Sequence, residues 1–125
     1  MELGLKGKKV IITGASKGIG KAIALAMGSE GANLAICARG EKSLNDTAVE
    51  LGAKDVEIFS QVCDVGEKES LDNFLDTSYE NLGGVDVLIN NTSGFGLTDD
   101  EQGWNTGFNI DIMASVRATQ KVAPW

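Results

Sequence analysis

Residues 10–20, Val-Ile-Ile-Thr-Gly-Ala-Ser-Lys-Gly-Ile-Gly, constrain this chain more than any other stretch. The apolar run Val10-Ile11-Ile12 has the character of a strand buried on both faces, as in a parallel sheet. At Thr13-Gly14 the chain must turn. After Gly20, the run Lys21-Ala22-Ile23-Ala24-Leu25-Ala26-Met27 is rich in good helix formers, and Ile19, Ile23, Ala26 and Met27 share one face at helical spacing. The glycines therefore stand between a buried strand and a helix start. Bare backbone N–H groups and the positive end of the helix dipole favour an anion there. Glycine in that place allows a tight turn, close approach of a phosphate to the backbone, and close packing of helix on strand.

Gly14, Gly18 and Gly20 are spaced Gly-x-x-x-Gly-x-Gly, not Gly-x-Gly-x-x-Gly. A Walker A loop is excluded, because Ala15 stands where its first glycine belongs and Ala22 where Ser or Thr belongs. Gly31-Ala32 makes a helix stop, and Leu34-Ala35-Ile36-Cys37-Ala38 reads as a second buried strand ending at Arg39-Gly40. In dinucleotide-binding sheets an acidic residue about 20 positions past the glycines holds the adenosine ribose, and a basic one there accepts a 2′-phosphate. Here Arg39 lies 25 positions after Gly14, and the first acidic residue, Glu41, lies beyond the strand end. Lys17, inside the loop, adds a second cation. Both favour NADP(H) over NAD(H); the plainer alternative is that Arg39 and Lys17 are solvated surface cations.

The chain has 125 residues, one domain's worth, with 42% hydrophobic and 23% charged residues, as in ordinary globular proteins. Its net charge of -7 argues against general affinity for nucleic acid or an anionic membrane surface. No apolar run approaches the ~20 residues that span a bilayer, and the first residues lack the apolar core of a signal peptide. Cys37 and Cys63 form no close ligand pair and the chain holds no histidine, so no metal site is expected. Two buried free thiols in a cytoplasmic protein are the expectation.

Residues 41–51 read as a helix with Leu44, Ala48 and Leu51 on one face, stopped by Gly52. Residues 56–60 form a third strand, followed by Asp64-Val65, where an adenine ring would lie in such a sheet; a helix N-cap neighbourhood is the other reading of that pair. The next helix is the clearest amphipathic segment, with Leu71, Phe74, Leu75, Ser78, Tyr79 and Leu82 in register and Glu67, Glu69 and Asp72 in its first turns. Tyr79 belongs to its packing face or boundary. Gly83-Gly84 ends it, and residues 85–90 give a fourth strand leading into Asn91-Thr92-Ser93-Gly94. Residues 95–102 read as a loop. A last helix spans residues 104–123, with Phe108, Ile112, Ser115, Thr119 and Val122 along one side and Ile110 and Val116 on others, which predicts wide burial or a shared partner face.

Thr13-Gly14, Gly18-Ile19-Gly20, Asp64-Val65 and Asn90-Asn91 arrive in an order that resembles the short-chain dehydrogenase/reductase family, over essentially the whole chain. The resemblance implies a Rossmann-type α/β fold, a doubly wound parallel sheet of strand order 3-2-1-4 with right-handed crossovers. It implies a cofactor site made of Gly14, Ser16, Lys17, Gly18, Ile19, Gly20, Arg39, Asp64, Val65, Asn91, Thr92 and Ser93. In the family, the Asp-Val pair reaches the adenine and the Asn-Asn-Ala-Gly segment passes the nicotinamide ribose; here Thr92-Ser93 stand where one Ala is usual. The family's last-helix asparagine, which holds a proton-relay water, aligns with Asp111, or with Asn109 if the register shifts by two.

The family's catalytic serine and Tyr-x-x-x-Lys pair follow in a further strand and helix. This sequence ends at Pro124-Trp125, and its one tyrosine, Tyr79, has Gly83 at the fourth position after it. Residues 1–125 are thus expected to be the dinucleotide-binding half of an NADP(H)-linked oxidoreductase acting on a small carbonyl or alcohol, truncated before the fifth strand. A stand-alone NADP(H)-binding module and a non-catalytic interaction element are the alternatives. The open strand edge and the incompletely covered last helix predict association of copies or marginal stability.

Overall fold

The structure, a computed structural model, describes residues 2–96 and 98–125. Met1, in the N-terminal stretch read for a signal peptide, and Leu97, in the expected loop at 95–102, lie outside the described residues. The elements alternate: β1 Lys9–Thr13, α1 Gly18–Ser29, β2 Asn33–Ala38, α2 Glu41–Gly52, β3 Ile58–Val62, α3 Lys68–Leu82 and β4 Val87–Ile89. A final rod follows, made of α4 Glu101–Thr106, a π-helical segment Gly107–Met113, and α5 Ala114–Val122.

The four strands are all parallel, in the expected order β3-β2-β1-β4. Alternation along the central strands sorts the core into two layers. Val10, Ile12, Leu34 and Ile36 pack with Ala24, Leu44 and Leu51 of α1 and α2. Ile11, Ala35 and Cys37 face the other way, against Leu71, Phe74 and Leu75 of α3 and Ala114, Ala118 and Val122 of α5. The chain thus winds from β1 towards β3 with helices on one face, then crosses to β4 on the other side of β1. That reversal opens a crevice between β1 and β4 at the strand ends.

Several boundaries and faces differ from the sequence reading. β3 starts two residues later than expected and runs on through Gln61-Val62. Asp55 takes a left-handed turn (φ 59°), and Glu57 N–H bonds to Asn33 Oδ1, which fixes where pairing begins. As an edge strand it tolerates a polar residue that a central strand would not. β4 is shorter than expected, because Asp86 is occupied with Lys9: its N–H reaches the Lys9 carbonyl, and its carboxylate accepts the Lys9 N–H.

Helix α1 buries Gly20, Ala24 and Gly28, while Ile19 is 74% exposed and Ala26 is exposed too. Small residues face inward because the helix lies so close to the sheet; a Cβ at Gly20 would run into the Gly14 carbonyl and the Asn91 amide. In α3 the expected face is buried except for Tyr79, which sits at the boundary against Trp125, with ring centroids 4.7 Å apart. The last helix begins at Glu101, three residues early, capped by Asp100, whose carboxylate accepts the Gly103 N–H at 2.7 Å. Of its expected face only Val122 is buried; Phe108, Ile112 and Thr119 are exposed, and Ala114 and Ala118 are buried instead. A π segment adds a residue to each turn, so a 3.6-residue period carried through residues 107–113 loses phase.

Candidate functional site

Because all four strands are parallel, the residues following them collect along one edge of the sheet. Gly14 follows β1, Arg39 follows β2, Asp64 lies two residues past β3, and Asn91 lies two past β4. Every segment that the sequence singled out is therefore brought to this edge, and the tightest contacts fall at the β1–β4 crevice.

The glycine loop is held from behind. Ala15 N–H donates to the Cys37 carbonyl (3.1 Å), and Asn91 Nδ2 donates to the Gly14 carbonyl (2.9 Å). Asn91 N–H donates in turn to Thr13 Oγ1 at 3.1 Å. Gly14 (φ 66°) and Gly18 (φ 61°) adopt backbone conformations that disfavour side chains. Their surroundings differ: a Cβ at Gly14 would lie 2.9 Å from Thr92 Oγ1, whereas one at Gly18 meets nothing. Gly14 is packed against the sheet and Gly18 faces open space. Lys17, the N-cap of α1, provides no side-chain cap, so the first N–H groups of that helix are left to an outside acceptor. Lys17, Ile19 and Arg39 are all exposed at this rim.

Past β3, Cys63 N–H bonds to the Ala38 carbonyl, and Asp64 N–H bonds to Ser70 Oγ. Asp64 Oδ1 accepts the Gly66 N–H at 2.9 Å, so this carboxylate also organises the start of α3, while Glu67 is the N-cap itself. Val65 is buried. Beyond β4, Thr92 Oγ1 is buried against Gly14 with no partner among the described residues. Ser93 Oγ accepts the Phe95 N–H, and Phe95 sits in a left-handed conformation (φ 48°), exposed.

The π segment joins two of these loops, which the sequence reading missed. Asn109 Nδ2 donates to the Gly66 carbonyl (2.9 Å), and Arg117 donates to Asn109 Oδ1 (3.0 Å). Asp111 Oδ1 accepts the Gly94 N–H at 2.6 Å. Between them Ile110 lies where a Cβ on either Gly66 or Gly94 would strike it. Asn109 and Asp111, two positions apart, thus hold different loops. Hydrophobic periodicity carries no signal for this; the one cue was a pair of polar residues in an otherwise apolar stretch.

Both cysteines are buried free thiols behind the site. The hydrogen bond to Cys63, together with burial, pushes the Cys37 thiol well above its ordinary range, and the same bond lowers Cys63. No helix among the described residues is long and apolar enough to cross a membrane.

This edge, with a glycine turn between the first strand and helix at the point where the sheet reverses, defines a dinucleotide-binding class of α/β protein. Residues 8–125 match the family described as short chain dehydrogenase, and the chain belongs to that family. It is 35% identical to the uncharacterized oxidoreductase YvaG of Bacillus subtilis, over 97% of this chain and 47% of that protein. The structure of L-sorbose reductase from Gluconobacter frateurii, complexed with NADPH and L-sorbose, superposes with a TM-score of 0.92 at 32% identity, covering 99% of this chain and 49% of that one. A 7α-hydroxysteroid dehydrogenase complexed with NADH gives a TM-score of 0.90 at 29% identity, over 96% and 48% of the two chains. The chain spans about half the length of the relatives it matches.

Proposed function

We propose that this chain is the nicotinamide-dinucleotide-binding portion of an oxidoreductase that reduces a carbonyl or oxidises an alcohol, and that its favoured cofactor is NADP(H). The observation that carries the reading is the collection of Gly14–Gly20, Arg39, Asp64 and Asn91 on one strand-end edge, around an uncapped helix start beside an open Gly18. These residues fit the group: the exposed N–H donors suit a diphosphate, and the exposed cations Lys17 and Arg39 suit a 2′-phosphate.

In this reading Gly14, Ser16, Gly18 and Gly20 shape the diphosphate cradle, and Ile19 gives it an apolar rim. Asp64 and Val65 take the adenine, using the carboxylate oxygen not held by Gly66. Asn91, Thr92 and Ser93 line the nicotinamide ribose. When bound, the cofactor supplies or accepts the hydride. Asp111 stands in the family's asparagine position and works here by holding Gly94, and with it the backbone that passes the ribose. Tyr79 is not assigned the acid–base role: it lies in α3 with its ring tilted 57° against that of Trp125, and Gly83 stands at the fourth position after it where the family's lysine would be.

The setting we propose is cytoplasmic, in keeping with two free thiols. We also propose that copies associate. Trp104, Phe108, Ile112 and Val116, at every fourth position of the final rod, are 71%, 57%, 51% and 37% exposed, an apolar row that water does not favour.

Calorimetric titration with NADP⁺ and NAD⁺ tests the reading. NADP⁺ binds more tightly to the wild-type chain, and Arg39→Ala costs about 1.5–3 kcal/mol of NADP⁺ binding while leaving NAD⁺ nearly unchanged. A folded chain that binds neither dinucleotide supports the non-catalytic interaction element instead.

A further inference from the structure

Helix α2 buries Leu44, Thr47 and Leu51 against the sheet, so one hydroxyl stands in an apolar row, 1% exposed. A buried hydroxyl needs a partner. Thr47 Oγ1 donates to the carbonyl of Ser16 at 2.9 Å, across 31 residues of sequence. That carbonyl belongs to the glycine loop, not to a strand or helix.

The consequence follows from peptide geometry. In a trans peptide the carbonyl and the following N–H point to opposite sides. Drawing the Ser16 oxygen towards α2 therefore aims the Lys17 N–H away from α2, and it fixes the plane from which the extended Lys17 (φ -160°, ψ 174°) departs. The same helix begins at Glu41, just after Arg39, with Leu44 N–H bonded to the Gly40 carbonyl at 3.1 Å. Thr47 thus ties the element that carries the Arg39 turn to the loop that carries Lys17. A Lys21–Glu50 ion pair (2.9 Å) also joins α1 to α2, but it lies at the surface and touches neither segment.

We propose that Thr47 is a positioning residue for recognition of the 2′-phosphate: its bond to Ser16 sets Lys17 and Arg39 in register, and so sets the preference for NADP(H) over NAD(H). This rests on the cofactor reading above. The isosteric Thr47→Val keeps the packing and removes the bond, while Thr47→Ser keeps the bond. Lys21→Met loosens α1 on α2 without touching the loop.

Both dinucleotides are titrated against the wild-type chain and each variant, with folding checked by circular dichroism. Thr47→Val weakens NADP⁺ roughly 2- to 10-fold, the range of one hydrogen bond, and NAD⁺ much less; Thr47→Ser and Lys21→Met keep the wild-type ratio. If Thr47→Val does not fold, Thr47→Ser against Thr47→Ala gives the same comparison, since both lack the methyl and only one keeps the hydroxyl. An unchanged ratio in Thr47→Val, an equal loss for both dinucleotides, or the same shift in Lys21→Met overturns the proposal while leaving the cofactor reading intact. A wild-type chain that binds neither dinucleotide overturns both.

Discussion

Gly14 and Gly18 have similar positive φ values (66° and 61°) but different surroundings, and substitution separates the two costs. Ala at position 18 meets only the left-handed backbone penalty, about 1 kcal/mol. Ala at position 14 adds a clash with Thr92 Oγ1 at 2.9 Å and its Cα at 3.3 Å, so overpacking brings a further ~1–3 kcal/mol. Denaturant melts should rank Gly14→Ala well below Gly18→Ala; equal midpoints would mean that the loop is not seated on the sheet. The thiols make a simpler prediction. Cys37 and Cys63 are buried, so a thiol reagent should label them slowly in native buffer and both at once in denaturant. Rapid native labelling would contradict the packing behind the site. The positions of Gly14, Gly18 and Arg39 past strand ends were legible in the sequence, because each lies after an apolar run with the character of a buried strand. Asp64 follows the polar edge strand β3 and was placed by the order of the elements. Thr47 was not legible, since a threonine on a helix face looks the same in sequence whether or not a carbonyl awaits it.

At the scale of elements, the strands and helices could be read from period and punctuation, the last rod included, but not the face that this rod buries. Its π segment replaces the 3.6-residue repeat at the point where Asn109 and Asp111 reach the Gly66 and Gly94 loops. Asp111→Ala removes the acceptor of the Gly94 N–H, whereas Asp111→Asn retains an oxygen that can take it. Amide exchange at Gly94 should therefore accelerate in Asp111→Ala and change little in Asp111→Asn; equal acceleration in both would show that charge, not the bond, holds the loop. Asp100 caps α4, and its carboxyl is held below the ordinary carboxylate range by the Gly103 N–H and the Thr98 hydroxyl. A depressed folded-state value means that the cap's contribution is complete above the ordinary range and is lost as pH falls through the lowered value. Protection of the Gly103 amide should hold at neutral pH and fade in acid, and Asp100→Ala should abolish that pH dependence.

At the scale of the whole molecule, strand order, the two-layered core and the position of the site follow from one fact. Parallel strands put all their carboxyl ends on one edge, and the reversal at β1 opens that edge to a ligand. The exposed row at Trp104, Phe108, Ile112 and Val116 is the feature of the surface that the sheet does not explain. If copies meet there, Phe108→Glu should shift the chain to a smaller species in sedimentation velocity; a wild-type chain that is monomeric at all concentrations would remove that proposal and leave the cofactor site untouched. If four separate strand ends form one dinucleotide site, amide NMR during an NADP⁺ titration will show it as a single event. Shifts are expected at residues 14–20, at Arg39, at Asp64 and Val65, and at 91–93, saturating together with one affinity. Shifts confined to one of these segments, or centred elsewhere on the fold, would contradict one shared site.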